Sequence, residues 1–310
     1  MIQLITKNNS QGWFAEYILK RLVDTPVEVV SLERFQLRDT HVYNPEASVI
    51  VVVGFPYFKS EQGGVVEALD QYNNPFSSFY HFCSFGDRVD ITGIHSLTNE
   101  EVSPVKMMFD TMTGMYSERD LLRVQIDPAL RAIVDAVDDY HTYSFVTKGN
   151  NYAMPLKELG DLFKQELINK FPFGSLESIC TQDKELMSSI ERNRIAYVNK
   201  KLGSMHVVQL GQTVVAMVYA EEYVNEVAHA AINHYVLTGY PKVAVLVGVH
   251  TKGDDMFHVR THGVSAKDIA WALNQGKGKD TTAVVFLGNS KEPTFKVVQQ
   301  VLSSNPNCLL

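Results

Sequence analysis

The run at 48–58, SVIVVVGFPYF, constrains this chain more than any other stretch. It is apolar without alternation until Gly54 and Pro56 stop it. A strand with no polar face has to be covered on both sides, the situation of a parallel sheet between helical layers. The segments before it suit such a sheet. Residues 2–6 read as a strand. Over 11–22 the apolar residues Phe14, Tyr17, Ile18 and Leu22 recur at helical spacing, with Ser10 as N-cap. Residues 27–31 read as a second strand. Strand, helix, strand, strand predicts an α/β architecture.

Further on, 76–93 is aromatic and irregular, and no element is expected there. Helical patterns follow at 103–115, 128–137, 156–170 and 183–202. The last part is clearer. VVQLGQTVVAMVYA is two apolar runs around Gly211-Gln212, a hairpin signal. Residues 221–238 form an amphipathic helix that Gly239 and Pro241 end. KVAVLVGVH and MFHVRTHG read as strands, and SAKDIAWALNQG as a helix capped by Ser265. TTAVVFLG is a closing strand, and 294–302 a final helix. No internal repeat occurs. A chain of 310 residues has room for two domains. The expected division is an α/β domain with a parallel sheet at 1–155, a helical connector at 156–202, and a smaller α/β domain at 203–310.

Composition bounds the function. The apolar share of 45% and charged share of 20% are those of a soluble globular protein. A net charge of −7 excludes a general polyanion binder, so any nucleic-acid contact requires a local basic patch. Cys83, Cys180 and Cys308 are far apart and form no C-x-x-C pair, which speaks against a disulfide framework and a thiolate zinc site. MIQLITKNNS turns polar too soon for a secretory leader, and no run has the length of a membrane span. A cytoplasmic protein without membrane association is expected.

Two constellations carry potential chemistry. In HVRTH the two-residue period of a strand puts His258, Arg260 and His262 on one face, which suits an anionic ligand. The following helix runs into QGKGKD, where Gly276 and Gly278 let backbone approach a ligand and Lys277 and Lys279 supply charge. A phosphate site is one reading. A solvated strand face with a glycine C-cap and surface lysines is the other, and composition alone favours it. In AVDDYHTYSF, Asp138, Asp139 and His141 have the chemistry of a divalent-metal site. Adjacent helical residues point apart, however, so solvated acids at a helix end are the plainer reading. His41, His81, His95, His206, His229, His234 and His250 show no ligand spacing and are expected to be structural or at the surface. Dinucleotide-binding, P-loop and nucleophile-elbow motifs are absent from the sequence.

FHVRTHGVSAKDIAWALNQGKGKDTTAVVFLG, with its arginine strand, its helix containing Ile269-Ala270, its glycine loop and its closing strand, resembles the DHH-associated domain. The chain as a whole resembles the DHH phosphoesterase superfamily, the RecJ-like and nano-RNase-like enzymes. The resemblance places Arg260 on the family's substrate-binding arginine, and Gly276 and Gly278 on its glycine loop. Lys279 stands where the family has histidine. The family's first motif, H-x-D-x-D-G at a strand-to-helix turn, aligns with TKNNSQG. There Lys7 replaces the histidine, Asn9 and Gln11 replace the aspartates, and Gly12 is kept. The second motif's aspartate falls on Gly54. The DHH triplet falls near Asp70, Gln71 and Tyr72, and the fourth motif near His141.

Family members cleave phosphodiesters with two metal ions held by carboxylates and histidines. Amides bind hard cations far less well, and Lys7 brings a positive charge. The resemblance therefore implies a catalytically degenerate relative that binds a nucleotide, a short single-stranded nucleic acid or a protein partner. Arg260, His258, His262, Gly276, Lys277, Gly278 and Lys279 are its candidate phosphate site, and it has no catalytic or metal residues and no cofactor. Two alternatives stand beside it. One is an active manganese- or magnesium-dependent phosphodiesterase acting on short oligonucleotides or cyclic nucleotides, with Asp70, Asp138, Asp139 and His141 as ligands. The other is a structural or host-interaction protein. The aromatic 73–85 stretch suits a homo-oligomer, and divergence this wide over a kept layout is what a viral gene shows.

Overall fold

A computed structural model describes residues 1–72, 78–116, 128–171, 174–182, 184–251, 254–288 and 294–309. The chain forms two compact units, Met1–Met187 and Ser188–Leu310.

The first unit opens with β1 (Ile2–Lys7), α1 (Ser10–Leu22), β2 (Val27–Leu32), β3 (Val49–Val53), α2 (Gln62–Tyr72), β4 (Ser78–Cys83) and β5 (Ile94–Thr98). Its strands form one parallel sheet in the order β2-β1-β3-β4-β5. The apolar run of β3 is buried on both faces, as its lack of alternation requires. Val51 and Val53 join Leu4, Tyr80, Phe82 and the helices on one side. Ile50 and Val52 join Ile5, Phe79, Phe35, Tyr43 and Phe55 on the other. The helical side is completed by α3 (Pro104–Tyr116), α4 (Pro128–His141), α6 (Ala153–Phe163), α7 (Leu167–Lys170) and α8 (Leu176–Thr181), with the short α5 (Phe145–Lys148) between α4 and α6 in the chain.

Two local readings need correction. The 76–93 stretch contains β4, an interior strand. Its aromatic residues feed both faces of the sheet, so no polar–apolar alternation marks it. Phe76 and Ser77 lie outside the described residues, as does most of the stretch that suggested self-association upstream of Ser78. The cap of α1 is Asn9 rather than Ser10: its backbone is extended and its side chain accepts from the Gly12 N–H at 3.2 Å.

Helix α9 (Lys184–Gly203) spans the parting between Met187 and Ser188, and the helices of 156–181 pack into the first unit's core. The second unit holds β6 (His206–Leu210), β7 (Thr213–Tyr219), α10 (Val224–Leu237), β8 (Lys242–His250), β9 (Asp254–His262), α11 (Ala266–Asn274), β10 (Lys277–Gly278), β11 (Thr282–Gly288) and α12 (Thr294–Ser304). The strands make a mixed sheet in the order β10-β11-β9-β8-β7-β6, parallel only between β7 and β8. The expected hairpin forms at Gly211, whose φ of 62° suits glycine. α11 and α12 cover one face of the sheet and α10 the β7–β8 part of the other.

Candidate functional site

In the first unit the strand order reverses between β1 and β3, since the chain leaves β1 toward β2 and later continues through β3 to β4. Open parallel sheets hold their ligands at the carboxyl ends of the strands beside such a reversal. Lys7 ends β1 and Gly54 follows β3, so the TKNNSQG turn lies at that point. Gly54 adopts φ 86°, and its missing Cβ would lie 3.6 Å from the Lys7 Cδ and 3.9 Å from the Gln11 Oε1. The stem of Lys7 thus runs over Gly54. Its ammonium lies 5.9 Å from the centre of the Phe55 ring and 5.5 Å from that of Phe85. Gln11 donates through Nε2 to the Nδ1 of His141. Burial lowers the pKa of His141, Lys7 lowers it further, and Asp138 opposes them. The ring is therefore held neutral, the form that accepts a hydrogen bond at Nδ1.

The carboxylates are elsewhere. Asp138 and Asp139 are buried rather than solvated, a correction to the helix-end reading. Asp138 accepts from the Ser103 N–H at 2.7 Å and lies 3.5 Å from the Lys106 ammonium. Asp139 accepts from Lys148, from Ser144 at 2.9 Å and from Asn150 at 2.9 Å. Asp70 is exposed near the end of α2. Because α2 returns the chain from the end of β3 to the start of β4, that residue belongs to the opposite edge of the sheet. An ammonium, a carboxamide committed to His141 and a neutral imidazole do not fit the oxygen-rich cage of hard divalent cations. Among the described residues no group of three or more His, Cys, Asp or Glu has metal-holding geometry.

Asp139 gives a pH prediction. Burial pushes its pKa up, but the hydrogen bonds from Asn150, Lys148 and Ser144 outweigh it and hold the carboxyl below its usual range. A depressed folded-state pKa contributes stability above the unfolded pKa and loses it as pH falls through the folded one. Asp139→Asn is expected to cost about 1–3 kcal/mol at pH 7, the scale of hydrogen bonds to a charged group. Denaturant melts from pH 7 to about pH 3 should show that gap narrowing as the wild-type carboxyl protonates. A gap constant with pH contradicts this.

In the second unit the structure brings several predicted residues together. His258, Arg260 and His262 share one face of β9, as the strand period required; the alternate residues Phe257, Val259 and Thr261 are buried in the other. Lys277 on β10 pairs with Val284, and Val284 with His258, so Lys277 lies on that same face, two strands and roughly 10 Å away. Arg260 is oriented by Asn225 of α10, whose Oδ1 accepts from Nη2 at 2.8 Å. Phe286, which pattern reading missed, sits opposite Met256 on this face and is 51% exposed. Its place was legible only from register, since in TTAVVFLG it looks like another core residue.

Other members of the predicted set play different parts. Gly276 and Gly278 let β10 lie against β11: a Cβ on Gly278 would meet the Ala283 Cα at 2.3 Å, and one on Gly276 the Val284 oxygen at 2.6 Å. Lys279 is exposed, and its backbone N–H bonds to the Thr282 oxygen at 2.7 Å. His262 is exposed at the strand's end. His258 is corrected: burial, aided by Arg260, lowers its pKa to about 4, so it adds no charge near neutral pH. His81 is structural, between Ser96 at 3.0 Å and the Phe55 oxygen at 2.7 Å.

No family model and no curated protein matches the chain. Solved structures do. The DHH domain of a protein described as a member of a family of ribosomal proteins is 10% identical over 97% of this chain and 86% of its own, with a TM-score of 0.56. An exopolyphosphatase-related protein from Bacteroides fragilis is 14% identical over 99% and 93%, with a TM-score of 0.53. The chain has the DHH phosphoesterase-like fold. The parallel sheet with its helices and the second, mixed-sheet unit are consistent with that likeness. The expectation of no cofactor is corrected at this point. An exonuclease RecJ structure, 14% identical over 99% and 90% with a TM-score of 0.48, is bound to manganese. No described helix is long and apolar enough to cross a membrane.

Proposed function

We propose that this DHH-like protein has lost phosphodiester hydrolysis and binds a phosphate-bearing ligand, a nucleotide or a short single strand, on the open face of its second unit. One observation carries the reading: a strand face with a guanidinium held in place by Asn225, a lysine two strands away and an exposed phenylalanine between their rows. Arginine grips phosphate through two hydrogen bonds at once, lysine adds a point charge, and an exposed ring gives a base a surface to stack on. This is the local basic patch that a chain of net charge −7 needs for a polyanion. The loss of hydrolysis rests on Lys7 and Gln11 at the strand reversal and on the separate commitments of Asp138 and Asp139.

Hydrolysis is tested directly. With manganese or magnesium supplied, the purified protein is expected to release no mononucleotide from a dinucleotide and no nitrophenol from bis-p-nitrophenyl phosphate. Turnover that disappears in Asp139→Ala would establish an active phosphodiesterase and end the degenerate reading.

A further inference from the structure

A second binding site, for a neutral sugar ring, is the reading we infer for the far side of the second unit's sheet. The outward side of α11, the end of α12 and the turn at Pro306–Leu309 line an open depression of about 730 Å³. Trp271 lines it and is 63% exposed, although its neighbours Ile269 and Ala270 are fully buried in the core. An indole left open to water in a concavity is a ready stacking surface, because its apolar face gains from being covered.

The other lining groups select the ligand. Asn274, Gln275, Asn305, Asn307 and Asp268 line the same depression, and among the described residues no lysine or arginine does. Asn274 and Asn305 each spend an amide N–H on backbone, to the Phe286 oxygen at 2.6 Å and the Val301 oxygen at 2.9 Å. That fixes their amides, each keeping its oxygen as an acceptor and its second N–H as a donor. Among the described residues the carboxamides of Gln275 and Asn307 make no hydrogen bond, so each offers both a donor and an acceptor. A phosphorylated ligand would meet Asp268, with no cation among the described lining residues to offset the repulsion. A pyranose fits: one face is rich in C–H groups and rests on an indole, and its rim of hydroxyls both donates and accepts toward carboxamides. The site lies across the sheet from Arg260 and does not depend on the phosphate proposal, since α11 covers the face opposite to the one that carries Arg260.

The chain's other tryptophan, Trp13, is 7% exposed in the first unit, so iodide quenching reports on Trp271. The full-length protein is titrated with glucose, mannose, galactose, N-acetylglucosamine and their disaccharides to about 50 mM, the range that suits millimolar affinity. At least one sugar is expected to give saturable protection from iodide. Its saturation-transfer NMR signal should fall about tenfold in Trp271→Ala and several-fold in Asn307→Ala, with the circular dichroism spectrum of both variants unchanged. Protection by none of these sugars, or protection by adenosine and uridine in their place, overturns the site. An undiminished signal in a folded Trp271→Ala does the same.

Discussion

Gly12→Ala is expected to unfold the first unit or leave it insoluble. The Cβ of an alanine at this position would lie 1.7 Å from the carbonyl oxygen of Lys7 and 2.9 Å from the carbonyl carbon. Both are backbone atoms of β1, whose register is fixed by β2 on one side and β3 on the other. No rotamer change relieves such a contact; helix α1 would have to move off the strand. That helix buries Phe14, Tyr17, Ile18, Leu19 and Leu22 in the main core, so the move exposes the centre of the unit. The expected loss is more than about 4 kcal/mol, the range reserved for severe packing defects. For a unit of this size that lowers the melting temperature by about 10 °C or more. Gly63→Ala is the control. It places the same methyl group in α2, where nothing lies within 4 Å, and alanine's better helix propensity should leave stability equal or higher. Equal melting temperatures for Gly12→Ala and wild type would show that the close approach of α1 and β1 is wrong.

This glycine also explains what holds the shape of the turn. Gly12 is required by packing whatever the turn does, and Asn9 is kept polar by its duty as the cap of α1. Lys7 and Gln11 have no such duty to the backbone. On the proposed reading these two positions are the ones open to change, while Gly12 and Asn9 hold the frame of TKNNSQG.

The same distinction governs what could be read in advance. β3 announced itself because an unbroken apolar run has few other uses, and β8 and β11 did so for the same reason. β4 escaped notice because aromatic residues on both faces imitate irregular structure. The face shared by His258, Arg260 and His262 follows from strand periodicity alone. Lys277 joins them only through the pairing of β10 with β11, and Phe286 only through its register with Met256. Register is a tertiary property that no single strand carries. Partial burial likewise separated His258 from its neighbours: three potential cations in sequence became one guanidinium, one half-buried neutral imidazole and one exposed ring.

Arg260→Ala is expected to weaken binding of a nucleotide or short single strand about 10- to 150-fold, which corresponds to about 1.5–3 kcal/mol for hydrogen bonds to a charged group. The side chain lies partly exposed against Asn225 and fills no core cluster, so the variant should fold. Binding should fall as salt rises, because phosphate contacts release counterions, and the dependence should be shallower in the variant by about one phosphate contact. It should not strengthen between pH 7 and 5 through His258, whose pKa is about 4. Fluorescence anisotropy with a labelled short oligonucleotide, run on wild type and Arg260→Ala at low and moderate salt and at pH 7 and 5, measures all of this in one experiment. Saturable wild-type binding that is salt-sensitive and reduced at least tenfold by the substitution is the predicted result. Curves that coincide for the two proteins, or no binding by wild type at low salt, would contradict a phosphate site on this face.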